Sequence, residues 1–104
     1  MAITNFQVGT GTGTAAYTAT ADVAVTVIYI TNKSNEDGNV DVYVVPSAGS
    51  VSENYKIYNN LTIRARDTYI IDSEKLILAT GDKIYIAAPD SSGQFNATIS
   101  TIGL

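Results

Sequence analysis

Val and Ile recur at every second position through much of residues 23–46, a period of two that marks strands rather than helices. Val40, Val42 and Val44 fall on one side of a pleat and Asp41 and Tyr43 on the other, so this run predicts a strand with one buried face. Before it, Val23, Val25, Val27 and Tyr29 share one side while Ile28 and Ile30 share the other. Apolarity on both sides predicts a strand covered on both faces, in the middle of an assembly or against a partner. Between the two runs, Asn35, Glu36, Asp37 and Gly38 supply turn residues, Asp37 and Gly38 being tolerant of positive φ. The runs are therefore expected to pair as a hairpin, and Pro46, which has no backbone donor, is expected to end the second.

The same pattern continues in shorter pieces. Residues 1–8 predict a first strand with Phe6 and Val8 inward. Tyr55, Ile57, Tyr58, Leu61 and Ile63 flank Asn59 and Asn60, which predicts two short strands or one interrupted strand. Residues 68–72 alternate, residues 76–78 follow an acidic turn at Asp72, Ser73 and Glu74, and Gly81 with Asp82 turns the chain into residues 83–86. In the last run Phe95, Ala97 and Ile99 face one way and Asn96, Thr98 and Ser100 the other. No segment keeps helical apolar spacing over three turns; residues 74–78 have room for a single turn. About eight short strands separated by Gly, Asn, Asp and Pro turns predict an all-β fold, an antiparallel β-sandwich of jelly-roll or immunoglobulin-like type. Its core is expected to include Val25, Val27, Val42, Val44, Ile71, Ile84, Ile86 and Ile99. The 104 residues suit one domain, 1–104. Within it, residues 1–13 and 47–54 are rich in Gly, Thr and Ser and are expected to be mobile, the former as an extended arm unless residues 5–8 form an integral edge strand.

Composition narrows the chemistry. Cysteine and histidine are both absent, which removes disulfides, thiolates, imidazole bases and the commonest metal ligands together. The formal charge is −4, and the six Lys and Arg are scattered at 33, 56, 64, 66, 75 and 83, so no nucleic-acid surface is expected. No apolar run approaches the roughly 20 residues of a spanning helix and no secretory leader is recognisable, which predicts no membrane partner.

Four patterns bear on chemistry. Residues 9–14 read Gly-Thr-Gly-Thr-Gly-Thr, but a phosphate-cradling loop must open a helix, and a strand-like run follows instead. Asn35, Asp37, Asn39 and Asp41 alternate like calcium ligands; counted from Asn35, position six is Val40 and position twelve is Pro46, where that loop requires Gly and Glu. Asp72 with Glu74, or Asp82 with Asp90, would be an acid and base pair only at a separation that spacing does not give, and turn residues account for all four. The triplets at Asn32, Asn60 and Asn96 match the glycosylation pattern but are expected by chance in a Thr-rich chain. Catalytic, cofactor and metal residues are accordingly expected to be none. Tyr29, Tyr43, Tyr55, Tyr58 and Tyr85 are candidates for sugar stacking or, more simply, for strand edges and subunit contacts.

The opening residues 1–5, Tyr17 to Ala19, residues 26–32, 40–46, 67–72 and 76–84, and the Thr-rich last strand together resemble a group of small tailed-phage virion structural proteins. The resemblance implies a β-sandwich without catalysis, repeated on a particle and made in the host cytoplasm. Its implied place is the capsid surface, as a decoration or cement protein binding the major capsid protein or other virion proteins; the alternative is a neck, tail or fibre-associated structural or carbohydrate-binding module. Because one small copy offers little interface, a homo-oligomer, dimer or trimer, is expected. Ile3, Phe6, Val51, Tyr55 and Tyr58 are the candidate interface residues.

Overall fold

The computed structural model describes residues 2–72, 76–90 and 94–104. Nine strands account for most of it: β1 (Ala2–Gln7), β2 (Tyr17–Thr18), β3 (Val23–Asn32), β4 (Gly38–Val45), β5 (Lys56–Ile63), β6 (Thr68–Ile71), β7 (Leu76–Leu78), β8 (Lys83–Ala87) and β9 (Phe95–Gly103). A single 3₁₀ turn, Glu53–Tyr55, precedes β5, its Asn54 amide held by the Ser52 hydroxyl.

The antiparallel pairing is nested. Strand β1 pairs with β9, β2 with β8, and β4 with β5, while β6 and β7 lie end to end along β3. The chain thus resembles one long ribbon whose tip is β4–β5. Pairing of β9 with β3 and of β8 with β4 rolls that ribbon into two sheets, ordered β1-β9-β3-β6/β7 and β2-β8-β4-β5. Counting β6 and β7 as one broken edge strand gives eight strands in the jelly-roll connectivity, so the two expected sandwich types resolve to this one. Between the sheets lie Val25, Ile28, Ile30, Val40, Val42, Ile71, Ile84, Ile86, Phe95 and Ile99.

The expected hairpin between β3 and β4 does not form: β3 belongs to the first sheet and β4 to the second. Asn32 makes the crossing. It is fully buried, and its Nδ2 donates to the carbonyls of Glu36 at 2.8 Å and Ile63 at 3.0 Å. Its Oδ1 accepts from the Ser34 amide at 3.0 Å, the local side-chain turn typical of Asn. That turn carries the chain between layers instead of back along its own edge. Gly38 serves by its size, not by a positive φ: a Cβ there would stand 2.6 Å from Gln94 Nε2 and 2.7 Å from the Phe95 ring.

Within one copy, strand β3 is covered by the core on one face. Its register against β9 shifts between Val25 and Val27, a β-bulge at Thr26 that inverts the alternation. Val23 and Val25 point inward before it, Ile28 and Ile30 after it, and Val27 and Tyr29 are turned outward, so Val27 leaves the expected core. Val44 is half-buried but packs against the core, and the other six expected core residues are buried.

Asp41 does not face solvent as its alternation suggested; it is 9% exposed. Strand β5 is a single strand carrying register shifts against β4, with Asn60 at φ 60°. The Asp41 carboxylate accepts from the Asn60 amide at 2.7 Å, which holds that left-handed residue in place. At the N-terminus, residues 2–7 are the edge strand β1 in six-residue register with β9, not a detached arm.

Candidate functional site

None of the strands of the first sheet contains a charged residue, whereas the second sheet carries Asp41, Lys56 and Lys83. The pairing registers give the outer face of the first sheet as successive rows. One end row runs Ile77, Ala24, Ile102, and the next Val27, Ser100, Ile3. Beyond these come Ile70, Tyr29, Thr98, Asn5, and then Thr68, Thr31, Asn96, Gln7. The face therefore grades from apolar at one end to amides and hydroxyls at the other.

Exposure follows the same map. Among the described residues, Ile3, Tyr29, Ile70, Ile77 and Ile102 are large apolar side chains exposed on this face, and Leu104 is exposed just past its end. Ile77 at 64% and Ile3 at 66% are far outside the range of a satisfied core residue. Ile57, on β5, is the other exposed one. A contiguous apolar patch without charges is the composition of an interface core, where charged residues are depleted.

Of the candidate interface residues, Ile3 stands on this face. Phe6 points the other way and packs against the core, as does Tyr58, whose ring meets Tyr69 edge-on with centroids 6.0 Å apart. Tyr55 ends the 3₁₀ turn and Val51 lies half-buried in the loop before it, both on the chain leading into the second sheet. The structure does not gather the five into one surface. Ile70, Ile77, Ile102 and Leu104 were not singled out from sequence. The available signal was an absence, five strands free of Asp, Glu, Lys and Arg.

The polar candidates are engaged in stitching the fold. Asp37 accepts from the Ala65 amide at 2.9 Å, Asn35 from Arg66 Nε at 2.7 Å, and Asn39 from the Thr62 hydroxyl at 2.8 Å. The carboxylate of Asp82 accepts from the amides of Ser47 and Ala79. Lys56 has a side chain only 10% exposed, with its ammonium 3.0 Å from Glu53, 3.6 Å from Asp41 and 5.4 Å from the Tyr43 ring centroid. The hydrogen bond to Glu53 raises the Lys56 pKa, and the charge of Asp41 adds to the rise against the opposing effect of burial. Glu74 lies outside the described residues, so its pairing with Asp72 is not described. Among the described residues no three carboxylates gather as metal ligands would. Two shallow depressions, about 340 Å³ between β1 and β9 and about 290 Å³ beside residues 9–14, are lined without a titratable side chain. Gly9 forms an isolated parallel bridge with Ala87, residues 10–14 form bends before β2, and no helix follows. Among the described residues no helix is long and apolar enough to cross a membrane.

Fold and surface together define a jelly-roll sandwich with one uncharged outer face. No protein-family model, curated protein or solved structure matches the chain.

Proposed function

We propose that this protein is a non-catalytic structural component of a tailed-phage virion, a capsid decoration protein that bridges and stabilises capsid subunits. The observation that carries the proposal is the uncharged, apolar-ended outer face of the first sheet, a surface suited to noncovalent assembly. A decoration protein acts by mass action: it binds the closed shell better than the opened one, so opening must also break its contacts. Such work requires a rigid body with sticky surfaces and no reacting group. The jelly roll supplies the first, but since it hosts lectins as well as capsid proteins, the fold alone argues for neither.

A sugar-binding module at a tail or fibre tip is less well supported. Stacking a sugar needs an exposed ring face. Tyr43 is 8% exposed, Tyr58 packs against the core, Tyr55 and Tyr85 are half-buried, and Tyr29 is the exposed member of the set.

Copy number in purified particles tests the proposal, measured by quantitative mass spectrometry against the major capsid protein. A decoration protein is present in proportion to capsid subunits, and shells lacking it open at lower temperature. A handful of copies per particle, or unchanged shell stability on its removal, refutes the assignment.

A further inference from the structure

We infer that the uncharged face of the first sheet docks a second copy of this chain, sheet against sheet, about a two-fold axis running along the strands. This rests on the reading of that face as an assembly surface and names its occupant.

Charge is the first argument. The chain has a formal charge of −4, so a second copy approaching through most of the surface sets acid against acid. The first sheet offers strands with no ionised side chain, so two copies meeting on it set no charged strand residue against another. A partner recognised through charge would gain nothing there.

Area is the second. The 32 strand residues of the first sheet, at about 3.4 Å rise and about 4.8 Å strand spacing, give a flat footprint of roughly 520 Å² per copy. Doubled, that exceeds the roughly 1,000 Å² total that a specific interface needs, before side-chain relief adds to it.

The gradient across the face fixes the orientation. A two-fold axis along the strands, through the middle of the sheet, keeps the apolar end over the apolar end and reverses strand order, so β1 of one copy lies over β6 and β7 of the other and β9 lies over β3. In the end row Ile77, Ala24, Ile102, reversal sets Ile102 of each copy over Ala24 of its partner and one strand spacing, about 4.8 Å, to the side of the partner's Ile77. An axis across the strands would instead set these residues against Asn96, Gln7 and Thr68, leaving the apolar side chains against amides and hydroxyls.

Sedimentation equilibrium of the full chain between about 1 μM and about 1 mM reads the self-association directly. Ile77→Lys and Ile102→Asp change exposed side chains, so both variants should keep the wild-type circular dichroism and melting temperature while each weakens association about tenfold or more. Mixing the two should restore a heterodimer, because the ammonium introduced at position 77 of one chain then lies beside the carboxylate introduced at position 102 of the other. A wild-type chain that stays monomeric throughout, or folded variants that associate as well as wild type, overturns the inference, and absence of rescue on mixing overturns the alignment it states. A chain that is monomeric in solution yet abundant on particles would refute the inference alone; a dimer with few copies per particle would refute the decoration reading alone.

Discussion

Replacing Asn32 with Ala should be among the most damaging polar substitutions in the chain. The side chain is fully buried and takes part in five hydrogen bonds: to the carbonyls of Glu36 and Ile63, and from the Ser34 amide, the Ser34 hydroxyl and Gln94 Nε2. Ile63 is itself 3% exposed, so its carbonyl loses its Asn32 donor in a place poor in water. Leaving such a group unsatisfied costs about 1–3 kcal/mol. The remaining partners sit nearer the surface, where water replaces part of what is lost, and together add about 1–2 kcal/mol. The expected destabilisation is about 2–5 kcal/mol, a large share of the roughly 5–15 kcal/mol a domain of this kind possesses. At about 4 °C per kcal/mol for a chain of this size, the melting temperature should fall by about 8–20 °C. Urea denaturation followed by far-ultraviolet circular dichroism measures it, with Lys33→Ala, on the exposed part of the same loop, as the control expected within about 0.5 kcal/mol. Asn32→Asp keeps the shape but turns an acceptor toward two carbonyls and should cost at least as much. A loss below about 1 kcal/mol for Asn32→Ala would refute the account of the crossing.

Three further outcomes follow from the second sheet and its contacts. Asp41→Ser should cost about 1–3 kcal/mol in the same denaturation assay, since the shorter side chain no longer reaches the Asn60 amide; a change under about 0.5 kcal/mol would mean that Asp41 is an ordinary surface residue. Gly38→Ala should cost about 1–3 kcal/mol and broaden the Phe95 ring resonances by displacing a fully buried ring, whereas a neutral effect would show that the site has slack. Lys56 has a raised pKa in the fold, so its ion pairs contribute stability that is present below the ordinary lysine value of 10.5 and lost as pH climbs through the raised one. The gap in melting temperature between wild type and Lys56→Met should therefore close at strongly alkaline pH, and a gap independent of pH would contradict the pairing with Glu53 and Asp41.

How far the fold was legible depended on where alternation ran uninterrupted. In β9, Phe95, Ala97 and Ile99 fell where the period of two put them, all at or below 1% exposure. In β3 the same rule failed at Thr26, because one inserted residue converts inward positions into outward ones and makes a one-sided strand look apolar on both sides. The hairpin expectation failed for a nonlocal reason: residues 33–37 have good turn chemistry, but the partners that set the direction of the chain, Ile63 and Gln94, lie far away in sequence. Asn32 itself was legible only as a chance glycosylation triplet, since nothing nearby tells that its amide will be enclosed. The uncharged face was visible as a lack of charges spread over five separated segments, and it became a surface only when the pairing registers put those segments side by side.

The nested ribbon also sets a schedule for the chain's birth. Strand β9 lies between β1 and β3, so the first sheet cannot close until those nine residues are made, although β1 is made first. The second sheet has no such dependence, because β2, β4, β5 and β8 all precede β9. A growing chain can pair β3 with β6 and β7, but β1 stays apart from them until β9 has emerged. Association through the complete face consequently waits for β9, so shorter growing chains on one message present only part of it to each other.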